Sequence, residues 1–235
     1  MKRLLWIGAL IAMTTTSLAG ETRNVAIVIW NGAEILDWGG PAEVFESAAR
    51  YGAIDDKPAF RVYTVSKTTE PIVSQRFINV VPNYSIEDAP KPDIVVLPGG
   101  GTNAILEDEA FLAWAGKVAK ESEIALSVCT GAFVLGKHGM LDGKEVTTWY
   151  DATDALAEQF PKADVQPGRR FVDNGHVVTT AGVSAGIDGA LHVVARLLGY
   201  SVALKTAEYM EYGWMPEPYL SKHYDLIKGS SDRKH

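Results

Sequence analysis

The sequence predicts an α/β fold built around a mostly parallel sheet. Short apolar runs alternate along the chain with segments whose apolar residues recur at helical spacing, the pattern of repeated strand–helix–strand units. The first run is continuous and rich in Val and Ile, as expected for a strand covered by helices on both faces. With 235 residues and 47% apolar composition, the chain can bury one core of this kind. We therefore expect residues 20–235 to form a single domain.

The first half of the chain contains four predicted strands. Residues 25–30 form the first, and Pro41 then opens a helix that carries Val44, Phe45 and Ala48 on one side. The remaining predicted elements of this half are strands at residues 60–65, 93–97 and 124–128 and a helix at residues 103–120.

The second half alternates in the same way and ends in a long helix. Asp-Gly and Asn-Gly pairs favour hairpin turns, so residues 170–180 are predicted to form a hairpin that turns at residues 173–175. Ile187, Leu191 and Leu198 share one face of the last helix, at residues 184–198. The other predicted elements are helices at residues 130–137 and 151–160, a strand at 145–148 and a surface tail at 213–235.

The first 19 residues have the order of a secretory signal peptide. Lys2 and Arg3 precede an apolar run at residues 4–13, and small and polar residues follow it up to Ala19. The run is about half of the roughly 20 residues that a membrane-spanning helix needs, so cleavage is favoured over a retained anchor. We therefore expect a periplasmic or secreted protein. Its net charge of −7 argues against nucleic acid or an anionic membrane as a partner.

The chain has one cysteine, Cys129, in the segment SVCTGAFVLG. A predicted strand ends there and a helix begins at Thr130 and Gly131, so the sulfur lies at a helix N-terminus, where unpaired amides favour an anion. A thiol in such a place is expected to ionise more readily than a free one. The arrangement is the cysteine counterpart of the nucleophile elbow. The alternative is a small buried apolar side chain, which is what most single cysteines are.

A glycine-rich loop, PGGGTN, follows a different predicted strand. Ligand sites of open α/β sheets lie at the carboxyl edge, so this loop should face the same crevice as Cys129. The amides of Gly100, Gly101 and Thr130 are then placed to form an oxyanion hole. The loop lacks the Lys and the spacing of a phosphate loop, and no His, Cys and carboxylate cluster has metal-ligand spacing. No cofactor and no metal are predicted.

Four motifs in this order resemble the DJ-1/PfpI superfamily, within the class I glutamine amidotransferase-like fold: ILDWGGPAEVF, DIVVLPGGG, SVCTGAFVLGKHGMLDGKEVTT and TTAGVSAGIDGALHVVARLLG. The resemblance spans residues 24–212 and is greatest to the branch with isonitrile hydratases and the ligand domains of AraC-like regulators. It implies a three-layer α/β sandwich with a mostly parallel, flavodoxin-like sheet and a nucleophile elbow at Cys129. It also implies a homodimer. Reaction is less well specified than fold, because this superfamily contains many activities.

The resemblance implies that Cys129 is the nucleophile, that Asp37 is its acidic partner and that Thr130 also takes part. An acid beside a thiolate is stabilised in its protonated form, so it can donate a hydrogen bond to sulfur and shuttle a proton. Without the family resemblance, the simpler interpretation of Asp37 is that it caps the end of a loop. Many relatives have a histidine after the two threonines, where this chain has Trp149, and none of its five histidines is an obvious substitute. Trp149 is either an apolar wall of the pocket or an ordinary core tryptophan.

Two functions follow from these assignments. The first is hydration or hydrolysis of a small C–N compound, as in isonitrile hydratases, which needs only Cys129, Asp37 and a water and is least affected by loss of the histidine. The second is a non-catalytic exported protein that binds a small ligand in the same crevice, or senses oxidants through Cys129.

Overall fold

The computed structural model describes residues 21–214. The signal peptide predicted at residues 1–19 and most of the predicted tail lie outside the described residues. The strands of the described part are β1 (Arg23–Val28), β2 (Phe60–Ser66), β3 (Ile72–Ser74), β4 (Ile78–Val80), β5 (Tyr84–Ser85), β6 (Ile94–Leu97), β7 (Ile124–Val128), β8 (Glu145–Val146), β9 (Asp164–Val165), β10 (Phe171–Asp173) and β11 (Val177–Thr180). The helices are α1 (Ile35–Tyr51), α2 (Asn103–Leu106), α3 (Glu109–Glu121), α4 (Ala132–Lys137), α5 (Thr153–Gln159), α6 (Ala185–Leu198) and α7 (Tyr200–Tyr209).

Seven strands form the main sheet, in the order β10-β11-β7-β6-β1-β2-β5. Every neighbouring pair is parallel except β10 and β11, which form the predicted hairpin. The mostly parallel α/β sheet predicted from the sequence is therefore confirmed. Because parallel strands end at the same edge, the segments that follow β1, β6, β7 and β11 lie side by side there.

Helices cover both faces of this sheet. Successive side chains of β1 enter opposite cores, as the pleat requires: Val25 and Ile27 pack on the side of α1, α6 and α7, whereas Ala26 and Val28 pack on the side of α3 and α4. All four side chains are fully buried. This explains why the strand is continuously apolar rather than alternating.

Several element boundaries differ from those predicted. Helix α1 begins at Ile35 rather than at Pro41, which lies inside it. Proline there cannot donate to the carbonyl four residues earlier, and the helix tolerates this loss. The helix predicted at residues 103–120 divides into α2 and α3, because the side chain of Asp108 caps α3 by accepting from the Phe111 amide at 3.1 Å.

Some elements were not predicted at all. Helix α7 and the β3–β4 hairpin add to the predicted set, and the strand predicted at residues 145–148 is the short β8, which pairs with β9 outside the main sheet. Within residues 21–214, none of the helices combines the length and the apolar character needed to cross a bilayer.

Candidate active site

Cys129 occupies a strained turn between β7 and α4. Its φ of +58° is rare for a residue with a side chain, and a single 3-10 turn, Cys129–Gly131, leads into the helix. A Cβ on Gly131 would lie 2.0 Å from the carbonyl oxygen of Leu97, so only glycine allows the turn to lie this close to β6. The amide of Cys129 donates to the Ala181 carbonyl at 3.1 Å, and its own carbonyl accepts from the Thr148 hydroxyl at 2.7 Å. The elbow is therefore fixed from three sides.

Asp37 lies in the first turn of α1 and is completely buried. One carboxylate oxygen accepts from the Gly99 amide at 2.8 Å, and the other accepts from the Val183 amide at 2.9 Å. The Cys129 side chain is close enough to this carboxylate for each group to shift the pKa of the other. The structure thus brings together two residues that are 92 positions apart in the sequence.

The loop that carries Val183 is itself held in place. Val183 has a φ of +55°, an uncommon value for a β-branched residue. The next residue, Ser184, accepts from the Arg170 guanidinium at 3.0 Å, and Arg170 forms an ion pair with the buried Asp188. This network keeps the Val183 amide directed at Asp37.

Burial raises the pKa of Asp37 from its ordinary 3.8 to about 7, because desolvation penalises the carboxylate. The amides of Gly99 and Val183 oppose this effect, and the charge of Glu34 adds to it. Near neutral pH, therefore, Asp37 is populated in both protonation states and can accept or donate a proton.

Burial also raises the pKa of the Cys129 thiol, from 9.0 to about 12, and the charge of Asp37 adds to this rise. The amide and hydroxyl of Thr130 act in the opposite direction without outweighing burial. The prediction of a readily ionised thiol is therefore wrong for the resting site. Helix α4 has only six residues, and burial of the sulfur is the largest contribution to the pKa of the thiol. A nucleophilic Cys129 consequently needs a base, and Asp37 is in place to act as one.

The glycine-rich loop contributes differently from the expectation. The amide of Gly99 is used by Asp37, and that of Gly100 donates to the Thr130 hydroxyl at 3.2 Å, so Gly100 is not a free oxyanion donor in this state. Gly101 lines the cavity, and its amide has no acceptor within residues 21–214. The Thr130 amide contacts the sulfur of Cys129. Of the three predicted donors, therefore, only the Gly101 amide is without an acceptor among the described residues, because the Thr130 amide acts on the sulfur.

A cavity of about 850 Å³ opens above the sulfur. Its lining combines apolar, charged and amide side chains: Leu106, Phe133, Trp149, Glu34, Lys137 and Gln159. A Cβ on Gly182 would lie 2.6 Å from the Trp149 ring and 3.4 Å from the Cys129 sulfur. The ring and the sulfur therefore both lie next to Gly182. Trp149 is half-buried, and it forms a wall of this cavity while also packing against the core.

The histidines lie elsewhere. His138 contacts the Leu112 carbonyl at 2.8 Å, and His192 pairs with Asp173 at 2.7 Å. His176 lies 3.3 Å from the Glu123 carbonyl, whereas His223 and His235 fall outside the described residues. Within residues 21–214, no three His, Cys, Asp or Glu side chains are grouped so that they could hold a metal ion.

Four contributors to the site were missed from the sequence: Glu34, Thr102, Thr148 and Val183. Val183 could have been identified from the sequence, because it follows β11 at the carboxyl edge of the sheet, in the motif TTAGVSAG. Thr102 could have been identified in the same way, because it directly follows the three glycines of the loop PGGGTN.

In a comparison against protein-family models, the DJ-1/PfpI family matches residues 23–196. The chain belongs to the DJ-1/PfpI family. Among curated relatives, it is 31% identical over 195 residues to isonitrile hydratase from Pseudomonas putida, covering 82% of this chain and 80% of that protein. It is 26% identical over 154 residues to the HTH-type transcriptional regulator CdhR from Pseudomonas aeruginosa, covering 66% of this chain and 46% of the regulator.

Solved structures of DJ-1/PfpI proteins share the same architecture. A THiJ/PfpI family protein from Pseudomonas syringae superposes with a TM-score of 0.73 at 26% identity, covering 91% of this chain and 84% of the other. This family membership supports the α/β fold but does not specify a reaction, since the relatives include both an enzyme and a regulator.

Proposed function

We propose that this protein hydrates or hydrolyses a small C–N compound, most specifically an isonitrile, with Cys129 as nucleophile and Asp37 as proton shuttle. One observation carries the proposal: a buried carboxyl whose pKa lies near 7 contacts the only cysteine, at the floor of a large cavity. The similarity to an isonitrile hydratase supports the choice of reaction.

In the first half of the reaction, ionised Asp37 takes the thiol proton as the sulfur attacks the terminal carbon of the isonitrile. Asp37 then returns the proton to that carbon, giving a thioimidate, R–N=CH–S–Cys129. The C–S and C–H bonds form while the S–H bond breaks, so the acid is regenerated in its ionised form. No leaving group departs in this step, and therefore no histidine is needed to protonate one.

In the second half, Asp37 accepts a proton from a water that adds to the thioimidate carbon and passes this proton to the nitrogen, giving the tetrahedral adduct R–NH–CH(OH)–S–Cys129. The C–S bond of this adduct then breaks as its hydroxyl oxygen forms the carbonyl, and the hydroxyl proton passes through Asp37 to the sulfur. The product is the N-substituted formamide, R–NH–CHO. The sum is one isonitrile and one water consumed for each formamide released.

The cavity suits a substrate with an apolar N-substituent. Leu106, Phe133 and Trp149 supply apolar walls, whereas Glu34 and Lys137 bring charges of opposite sign to the lining. A volume of about 850 Å³ lies within the range of drug-sized ligand pockets and exceeds the needs of the reacting C–N group alone.

The test is turnover of benzyl isonitrile, followed by chromatographic detection of N-benzylformamide. We expect product with the wild type, none above background with Cys129→Ala, and a loss of roughly 10²–10⁴-fold in kcat with Asp37→Asn. The exposed Asp56 provides a matched control, and Asp56→Asn should leave the rate unchanged. Equal rates for the wild type and Cys129→Ala would rule out the mechanism.

A second candidate is a non-catalytic ligand-binding protein. The raised pKa of the Cys129 thiol and the presence of Trp149 at the family's histidine position both favour it. The similarity to a transcriptional regulator adds support. A small ligand that raises the melting temperature without being converted would select this function. Redox sensing through the thiol is weaker, since oxidation favours an accessible thiolate and this thiol is buried and protonated.

We further propose that the protein is exported after cleavage of residues 1–19 and that it forms a homodimer. The order of residues at the N-terminus supports export, and family resemblance supports the dimer. N-terminal sequencing of the protein from cell fractions should give Gly20 as the first residue in the exported fraction. A full-length cytoplasmic chain would contradict export, and a monomeric mass by light scattering would contradict the dimer.

A further inference from the structure

We propose that Thr102 is a positioning residue that aims the hydroxyl hydrogen of Thr130 at the sulfur of Cys129. Thr102 lies half-buried in the cavity wall, directly after the three glycines and before α2. Its hydroxyl oxygen is 2.6 Å from that of Thr130. The proposal concerns the same site as the proposed function, and it rests on hydrogen-bond geometry that exists without substrate.

The side chain of Thr102 is not engaged in the role that its position favours. Threonine before a helix usually accepts from a backbone amide in the first turn, but at α2 the side chain makes no such bond. Its only side-chain hydrogen bond within residues 21–214 is the one to Thr130. The hydroxyl of Thr102 is therefore committed to the active site rather than to its own helix.

The donors and acceptors at Thr130 decide the direction of this bond. A hydroxyl has one hydrogen and two lone pairs. The Gly100 amide donates to the Thr130 oxygen at 3.2 Å, which leaves that hydroxyl one lone pair and its hydrogen for its two neighbours, Thr102 and the Cys129 side chain. The Thr130 hydroxyl lowers the pKa of the Cys129 thiol, which is the effect of a group that directs its hydrogen at the sulfur. With its hydrogen on the sulfur, Thr130 can only accept from Thr102, and both of its lone pairs are then filled. In the opposite arrangement Thr130 would donate to Thr102, and the sulfur would lose a donor.

This bond direction bears on the step at which the sulfur gains charge. A donor aimed in advance at a developing thiolate stabilises it without reorganisation. The charged groups that line the cavity are Glu34 before α1, Glu107 at the end of α2 and Lys137 at the end of α4, and the buried Asp37 acts on the sulfur as well. All four are unchanged when only the two threonines are altered, so their contributions cancel in a comparison of those variants.

The experiment measures the rate of Cys129 alkylation by iodoacetamide from pH 6 to pH 11. It compares the wild type with variants that lack the hydroxyl of Thr102 or of Thr130. Cys129 is the only cysteine, so the reaction reports on one site. We expect Thr102→Val to slow alkylation by roughly 3- to 10-fold at a given pH and to move the profile to higher pH, while Thr102→Ser keeps the wild-type profile. Thr130→Val should slow it at least as much.

The double variant separates positioning from a general structural role. In a Thr130→Val background, adding Thr102→Val should change the profile no further, because Thr102 acts through the Thr130 hydroxyl. An equal effect in both backgrounds, or none in either, would overturn the proposal. Thr102→Ala repeats the test if Thr102→Val does not fold. Alkylation needs no turnover, so a protein that hydrates no isonitrile can still support this inference, and an active hydratase can still refute it.

Discussion

Replacing Asp37 by Asn should make the protein's stability less dependent on pH. The pKa of Asp37 is 3.8 in an unfolded chain and about 7 in the folded one, so the folded state holds the proton more tightly. Stability is then highest at low pH with respect to this group, and it falls as pH rises from about 4 to about 7. At about 1.4 kcal/mol for each pKa unit, the ionised carboxyl costs the folded state about 4 kcal/mol above pH 7.

Asparagine removes this dependence but adds a constant cost. Its amide has one oxygen, so one of the two donors, Gly99 or Val183, loses its acceptor at a penalty of about 1–3 kcal/mol. Between pH 5 and pH 8, the unfolding free energy of the wild type should fall by about 2.5 kcal/mol more than that of Asp37→Asn, because only the wild type has a carboxyl to ionise. Urea unfolding at the two pH values measures this, with the exposed Asp56→Asn as control. A difference that stays constant with pH would refute the assigned pKa of Asp37.

Three further substitutions test the geometry of the site. Val183→Gly should relieve backbone strain and raise the melting temperature by about 2–4 °C, whereas Val183→Ala, which retains a Cβ, should not. Gly131→Ala should lower the melting temperature and abolish substrate turnover, because its Cβ would lie 2.0 Å from a backbone oxygen, while Gly39→Ala has open space around it and should be tolerated. Glu34→Gln should lower the pKa of Asp37, which its charge raises, and so shift the pH dependence of unfolding to lower pH.

The sequence was sufficient to predict which loops meet at the site. Val, Ile and glycine patterns located β7 at Ile124–Val128 and the strand end before the three glycines, and parallel strands must end at one edge. That rule predicted that Cys129 and the glycine-rich loop face the same crevice, and the adjacent positions of β6 and β7 bring them together. Asp37 joined them only through family resemblance, because an acidic residue near a loop end has a simpler explanation as a cap.

The sequence could not predict what burial does to these groups. The amide of Val183 reaches Asp37 from 146 positions away, and this contact requires β11 to lie next to β7, an order that periodicity does not encode. The same holds for the thiol. A helix N-terminus can be located in a sequence, whereas the number of atoms that exclude water from the sulfur depends on packing from every side. The local rule predicted a lowered pKa, and the tertiary environment raises it.

Trp149 is central to the choice between the two candidate functions, and the pKa of Asp37 changes what its presence means. A histidine is useful in catalysis at neutral pH because its pKa lies near 7, so that it can accept and donate a proton in one cycle. Burial has moved the carboxyl of Asp37 into the same range. The site therefore retains a base and an acid suited to pH 7 although the imidazole is absent, and the ring of Trp149 adds an apolar wall beside the sulfur.

A single buried acid can serve an addition to a C–N multiple bond, in which the same proton moves from sulfur to carbon. It is poorly suited to amide hydrolysis, because a leaving amine must be protonated there while the nucleophile is kept deprotonated. Loss of the histidine thus narrows the expected chemistry of this site to addition reactions rather than abolishing it.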